Sequence, residues 1–191
     1  FVWDPRSRVA GERREQLTQM IDFPATLLDF FGVELPAEMQ GIPLGGAIAE
    51  NAPTREALLF GYHGGPVNVT DGRHVYMRAA AGDNTPLYEY TVMPTHMNKL
   101  FDANELPVWD KAEPFAFTKN CPVMKIPGRA SHVAPTAHAK GHLLYDLQAD
   151  SDQENPLADP AQEQRMIDLM VGLMQASEAP PEQYERLGLK G

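Results

Sequence analysis

The run VNVTDGRHVYMR, residues 67–78, constrains the fold more than any other stretch of the chain. Apolar and polar residues alternate on both sides of Asp71-Gly72. A period of two sends one face of a strand into a core and the other toward solvent. Asp-Gly tolerates the positive φ that a tight hairpin turn demands. The chain must therefore hold an antiparallel sheet. Val67 and Val69 supply its apolar face, with Val75 and Met77 as the expected cross-strand company.

The other elements follow from pattern. ALLFGY (57–62) reads as a strand that runs into His63-Gly64-Gly65, and LYEYTVM (87–93) and HLLYDLQAD (142–150) read as two more. Residues 94–141 lack periodicity and are rich in Pro, Asn, Lys and His. They read as one long excursion with a helical turn near 97–101, of the kind that is functional or packs on a partner. Asp159-Pro160 opens a terminal helix, with Gln162 completing a capping box. Met166, Ile167, Met170, Leu173 and Met174 share one side of it, and Pro180-Pro181 end it. At the front, FVWDP reads as a strand stopped by Pro5. Residues 13–31 carry a helical pattern in which Asp22 is the cap, Leu27, Leu28 and Phe31 share a face, and Gly32 is the stop. VELPAEMQGIPL then forms an irregular connection.

The fold class expected is α+β: a small antiparallel sheet of about four strands packed by a C-terminal helix. The sheet and its helix take residues 51–191. A strand–helix unit, residues 1–50, precedes them without belonging to that sheet. The opening FVWDPRSR, with no initiator methionine, reads as a piece of something longer.

Composition narrows the function. The chain has 191 residues, 43% of them hydrophobic, which suits a globular domain. Its formal net charge is −10, concentrated after Asp146. That argues against nucleic-acid binding, which needs a basic face to displace counterions, and against an anionic membrane surface. No apolar run approaches the roughly 18 residues of a membrane span. The single cysteine, Cys121, excludes an intramolecular disulfide and a cysteine-based zinc site. The compartment stays open between cytoplasm and periplasm.

Few residues could carry chemistry. His63 stands beside two glycines that permit close backbone approach by a ligand, with Asn68 and Asp71 near in sequence. Asp71-Gly72 belongs to the turn. His132, His138 and His142 are spaced six and four apart, but loop surroundings and Pro135 argue against a metal site. His74 reads as a surface or cross-strand residue, and His96 as a loop histidine without an assigned use. Cys121 has Lys119 and Lys125 nearby and no histidine partner to act as its base. There is no Gly-rich phosphate loop, no Gly-x-Ser-x-Gly and no His-Glu-x-x-His.

Three phrases in order do form a signature: QMIDFPATLLDFFGVELPAEMQGIPL, FGYHGGPVNVTDGRHVYMR and LLYDLQADSDQENPLAD. Together they resemble the C-terminal part of the arylsulfatase-type sulfatases of the alkaline-phosphatase-like superfamily. The resemblance implies that residues 1–50 are the C-terminal edge of a larger α/β catalytic domain. Residues 51–191 are then the sulfatase C-terminal subdomain, which helps to wall the substrate pocket. The implied activity of the parent is hydrolysis of sulfate esters, or of related phosphoesters or phosphonate monoesters. The implied cofactors are a formylglycine, made from Cys or Ser in a Cys/Ser-x-Pro-x-Arg motif, and a divalent cation, Ca or Mg/Mn. None of that machinery is matched in this chain. Cys121 is followed by Pro-Val-Met-Lys, so it is not the nucleophile. No catalytic residue and no metal ligand is carried over. The substrate-binding candidates are His63 and Asn68.

The leading expectation is therefore a C-terminal fragment of a sulfatase-like hydrolase, inactive alone. Its partners would be the missing N-terminal catalytic domain and, in the parent, a small anionic ester. Self-association through exposed apolar surface is expected. The alternative is a stand-alone, non-catalytic binding module derived from the subdomain. An independent enzyme using His63 or Cys121 comes third, for want of a base–nucleophile pair.

Overall fold

The sheet foreseen around Asp71-Gly72 has four strands in the order β1-β2-β3-β7, each antiparallel to its neighbour. In this computed structural model, which describes residues 2–96, 99–128 and 140–190, they are β1 (Leu58–Gly61), β2 (Val67–Thr70), β3 (His74–Arg78) and β7 (Leu143–Asp146). Leu59, Val69, Tyr76 and Leu144 are aligned across it by register and form one row. Upon that row lies α3 (Pro160–Ala176), which buries Met166, Met170 and Met174, and α4 (Pro181–Leu187) closes one end with Tyr184 and Leu187. Burying a side chain of this size contributes roughly 1.5–3 kcal/mol, so these methionines are the main reason that α3 docks. The Tyr76 hydroxyl donates to Glu163 Oε1 (3.0 Å) and accepts from Arg78 Nη1 (3.1 Å), so the one polar atom in the row is satisfied.

The hairpin exists, but its register differs from the expected one. Gly72 and Arg73 are the two central residues, and Gly72 takes the positive φ, 90°. Asp71 instead pairs with His74, and its carboxylate accepts from the backbone N–H groups of Arg73 (3.0 Å) and His74 (2.6 Å). Val69 consequently faces Tyr76 and Val67 faces Arg78, while Val75 and Met77 pair with Thr70 and Asn68 on the other face. A shift of one residue exchanges the two faces.

A second sheet occupies part of what read as one excursion. Its strands are β4 (Tyr88–Thr91), β5 (Asp110–Ala112) and β6 (Val123–Pro127), in the order β4-β6-β5, all antiparallel. LYEYTVM thus belongs to this sheet and not to the first. Met97 and Asn98 of the expected helical turn lie outside the described residues; their flanks pair as an antiparallel bridge, Thr95 with Leu100. Glu182 of α4 joins the two sheets, bonding Lys125 Nζ at 2.8 Å and accepting from the Tyr90 hydroxyl. Burial and this carboxylate push the Tyr90 pKa up to about 12.

The front of the chain departs most from expectation. Residues 2–5 are not a strand; Arg6 folds back and forks onto the Asp4 carboxylate (2.9–3.2 Å). The helix is shorter than expected, α1 (Asp22–Phe30), followed by α2 (Gly45–Glu50). Asp22 does not cap α1. It lies in the first turn, fully buried, and binds Gln19, Ile42 and Arg55. Trp3, Met20, Leu27, Phe31 and Val33 are all more than half exposed, a run of apolar surface on this leading segment. At the other end Asp159 does cap α3, accepting from Ala161 and Gln162 N–H groups. Pro180 and Pro181 do not end α3, which stops at Ala176; they open a further helix, with Pro181 the first residue of α4.

Candidate functional site

His63 sits in a turn closed by the Gly65 N–H donating to the Tyr62 carbonyl (3.0 Å). The Tyr62 ring lies over Gly65 so closely that a Cβ there would meet it at 2.5 Å, so no other residue fits without moving the ring. The turn is held from behind by side chains. Asn84 Nδ2 donates to the Gly64 carbonyl (2.9 Å), and Arg186 Nη1 donates to the Gly65 carbonyl (3.2 Å) and to Asn84 Oδ1 (2.8 Å). In front of the turn is a groove of about 390 Å³, bordered by Leu59, Tyr62, His63, Leu87, Gln183 and Arg186. It is large enough for a sugar-sized ligand.

His63 is 45% exposed, with Nε2 3.8 Å from Glu89 Oε1. Glu89 continues into a polar chain: its Oε2 lies 3.0 Å from His96 Nδ1, and His96 Nε2 lies 2.9 Å from Glu105 Oε1. Hydrogen bonds from Glu105 and then Glu89 raise the His96 pKa, so His96 has a role as the tie between Glu89 of β4 and the Glu105 loop. Arg186, at the groove floor, is only 2% exposed, and burial lowers its pKa.

The other candidates lie elsewhere. Asn68 follows Val67 and precedes Val69, both turned to the α3 side, so it faces the opposite side of the sheet. It is opposite Phe60 and Met77, and its Oδ1 is buried with no hydrogen-bond partner among the described residues. The structure thus does not bring His63 and Asn68 into one groove. His74 is part of an ion cluster at the hairpin end: Asp71 with Arg165 (2.6 Å), and Asp146 with Arg73 (2.7 Å). Burial opposes ionisation of Asp71, but backbone N–H donors and Arg165 prevail and bring it down to about 2; the Arg73 guanidinium does the same for Asp146. The first pair ties the turn to α3 and the second ties it to β7. His142 accepts from the Ala79 N–H (3.2 Å), a structural bond, and His132 and His138 lie outside the described residues. Cys121 is exposed beside Phe115, Phe117 and Lys119, away from the groove. Among the described residues no three His, Cys, Asp or Glu side chains are placed to hold a metal ion.

Part of this chain is similar to a sulfatase. Over 114 residues it is 27% identical to an N-acetylglucosamine-6-O-sulfatase of Bacteroides thetaiotaomicron, covering 53% of this chain and 20% of that protein. The chain thus matches about a fifth of the relative's length, and the relationship is distant and partial. No protein-family profile matches the chain.

Arg186 and Asn84 escape a reading of the sequence alone. Arg186 stands in YERLG within an acidic tail, where a charged residue ordinarily marks a solvated face. Only the docking of α4 buries it.

Proposed function

We propose that this chain is the C-terminal part of a sulfatase-like hydrolase of sulfate esters, or of related phosphoesters or phosphonate monoesters. In this reading it shapes the substrate pocket and leaves bond cleavage to the rest of the polypeptide. The similarity to a sulfatase over half of the chain carries the reading. The groove is consistent with it: an imidazole and a guanidinium beside an apolar wall suit an anionic ester on a sugar-sized body.

The formylglycine and the divalent cation implied by the sulfatase resemblance find no fitting residues here. Cys121 lies outside the groove with Pro122 directly after it, and no ligand cluster is assembled among the described residues. Both groups would belong to the catalytic domain, and no step is routed through them. The exposed apolar side of residues 2–33 is then the face that meets that domain. His63 would donate a hydrogen bond to a substrate oxygen, a contact made alike in ground and transition states.

The chain alone is expected to release no product from a chromogenic aryl sulfate, with or without Ca²⁺, Mg²⁺ or Mn²⁺. Turnover that persists in Cys121→Ala would refute the reading. In the whole polypeptide, His63→Ala should raise KM and leave kcat unchanged. A kcat loss of about a thousandfold would instead place His63 among the acids and bases of the chemical step.

One observation favours a stand-alone binding module: the core cluster, from Ala57 to Leu187, is drawn wholly from the later part of the chain. Saturable binding of a 6-sulfated N-acetylglucosamine by the chain, with no effect of an added sulfatase catalytic domain on affinity, would support it.

A further inference from the structure

The buried guanidinium of Arg186 has no carboxylate partner among the described residues. Its three hydrogen bonds go to neutral acceptors: Nε to Gln183 Oε1 (3.0 Å), and Nη1 to the Gly65 carbonyl (3.2 Å) and Asn84 Oδ1 (2.8 Å). Five other arginines reach an Asp or Glu: Arg6 with Asp4, Arg14 with Glu12, Arg55 with Asp22, Arg73 with Asp146, Arg165 with Asp71. Arg78 also donates only to neutral acceptors, the Tyr76 hydroxyl and the Leu187 and Gly188 carbonyls, but it is only half-buried. The neighbouring carboxylate of α4, Glu182, is already taken by Lys125 and Tyr90. Nη2 donates to no acceptor among the described residues, and Arg186 borders the groove that His63 and Gln183 also border.

A charge removed from water without a counter-ion is costly, and natural cores keep such charges paired or use them. Here the unpaired cation faces a cavity, and its two committed donors already fix the orientation of the guanidinium plane. With Nε and both hydrogens of Nη1 committed, the fixed plane leaves Nη2 to offer charge-assisted hydrogen bonds to an oxyanion. We propose that the groove is a binding site for a small ligand bearing an oxyanion, a carboxylate or a sulfate half-ester, held by Arg186 Nη2 with His63 and Gln183 Nε2 at its border. The site goes beyond the sulfatase reading and stands without it, because it needs only this chain. The whole chain carries a net charge of −10, so anions are repelled in general and a saturable response must be local.

The test is an NMR titration of the isotope-labelled chain, following the Arg186 guanidinium resonances. Sodium sulfate, sodium methyl sulfate and sodium acetate are each added against sodium chloride at constant ionic strength. A saturable shift at Arg186 with either oxyanion class supports the site, and the tighter class names the ligand: acetate a carboxylate, methyl sulfate a half-ester. No saturable shift with any of them overturns it and leaves Arg186 as a clamp for the Gly65 turn only. The second arm is Gln183→Glu, which places a carboxylate on Arg186 Nε with almost no change of shape. This variant should melt higher and bind the oxyanion about tenfold more weakly or worse. Unchanged affinity in Gln183→Glu would also overturn the proposal. Failure of both arms would leave the sulfatase reading untouched, since that is judged by turnover in the whole polypeptide.

Discussion

Replacing Asp22 by alanine should detach the front of the chain from the sheet. The Asp22 carboxylate is 0% exposed and accepts from Gln19 N (2.7 Å), Ile42 N (2.9 Å), Arg55 Nη1 (2.7 Å) and Arg55 Nη2 (2.6 Å). It therefore ties the start of α1 to the MQGIPL connection and to the residue that leads into β1. Alanine would strand a guanidinium that is 12% exposed, together with two backbone N–H groups. Removing one member of a buried ion pair costs about 3–5 kcal/mol. Arg55 keeps its bond to the Leu17 carbonyl (3.1 Å) and water can enter behind it, so the two freed N–H groups should not add their full penalty. At about 2–4 °C per kcal/mol for a chain of this size, the melting temperature should fall by roughly 6–20 °C. Hydrogen exchange should show protection lost first over α1, with β2 and β3 retained. Burial works to raise the Asp22 pKa, but Arg55 and the two N–H donors outweigh it and leave it lowered. A depressed carboxylate stabilises the fold above its unfolded pKa of about 3.9 and loses that contribution as pH falls through the folded value. The gap between wild type and variant should thus be full at neutral pH and close only in acid. Equal melting temperatures at pH 7 would refute the assignment of this pair as the main tether.

Three further outcomes are expected. The raised His96 pKa means that the tie to Glu105 and Glu89 is complete below the ordinary histidine value of about 6.5 and is lost as pH rises through the folded one; histidine NMR titration with amide exchange around residues 89–105 checks this, and protection unchanged across that range would contradict it. Met170→Ala, at a fully buried position under the sheet, should cost about 2–5 kcal/mol by chemical denaturation. The exposed Trp3, Leu27 and Phe31 should drive concentration-dependent self-association, visible in sedimentation velocity and weakened by Leu27→Glu with Phe31→Glu; a monomer at every concentration would argue that this face is innocuous.

The parts of the fold that the sequence disclosed are those built from local pattern. The α3 stripe repeats methionine at helical spacing, so its buried face was plain. The hairpin was plain too, but its register was not, because the Asp71 side chain captures two N–H groups and moves the turn onto Gly72-Arg73. The second sheet was hidden for a different reason. β5 is three residues, DKA, mostly exposed, and β6 carries Lys125 and ends on Pro127, so neither has the alternation of a half-buried strand. Pro180-Pro181 signals a stop and a start equally, and α4 was lost with it. The groove follows α4: His63 could be picked out by its glycine neighbours, whereas Arg186 and Asn84 come to the same turn from 121 and 20 residues away.

The row Leu59, Val69, Tyr76 and Leu144 also fixes a timetable for synthesis. The β1–β3 strands leave the ribosome roughly 90 residues before Met166, and their inner face has nothing to lie against until α3 follows. At ordinary elongation rates of about 5–20 residues per second, that is a delay of roughly 5–20 s. During it the nascent hairpin presents Val69 and Tyr76 to solvent, with the β3 edge still waiting for β7. Such a chain is a natural client for holdase chaperones, and its yield in a cell should respond to their supply more than to the stability of the finished fold.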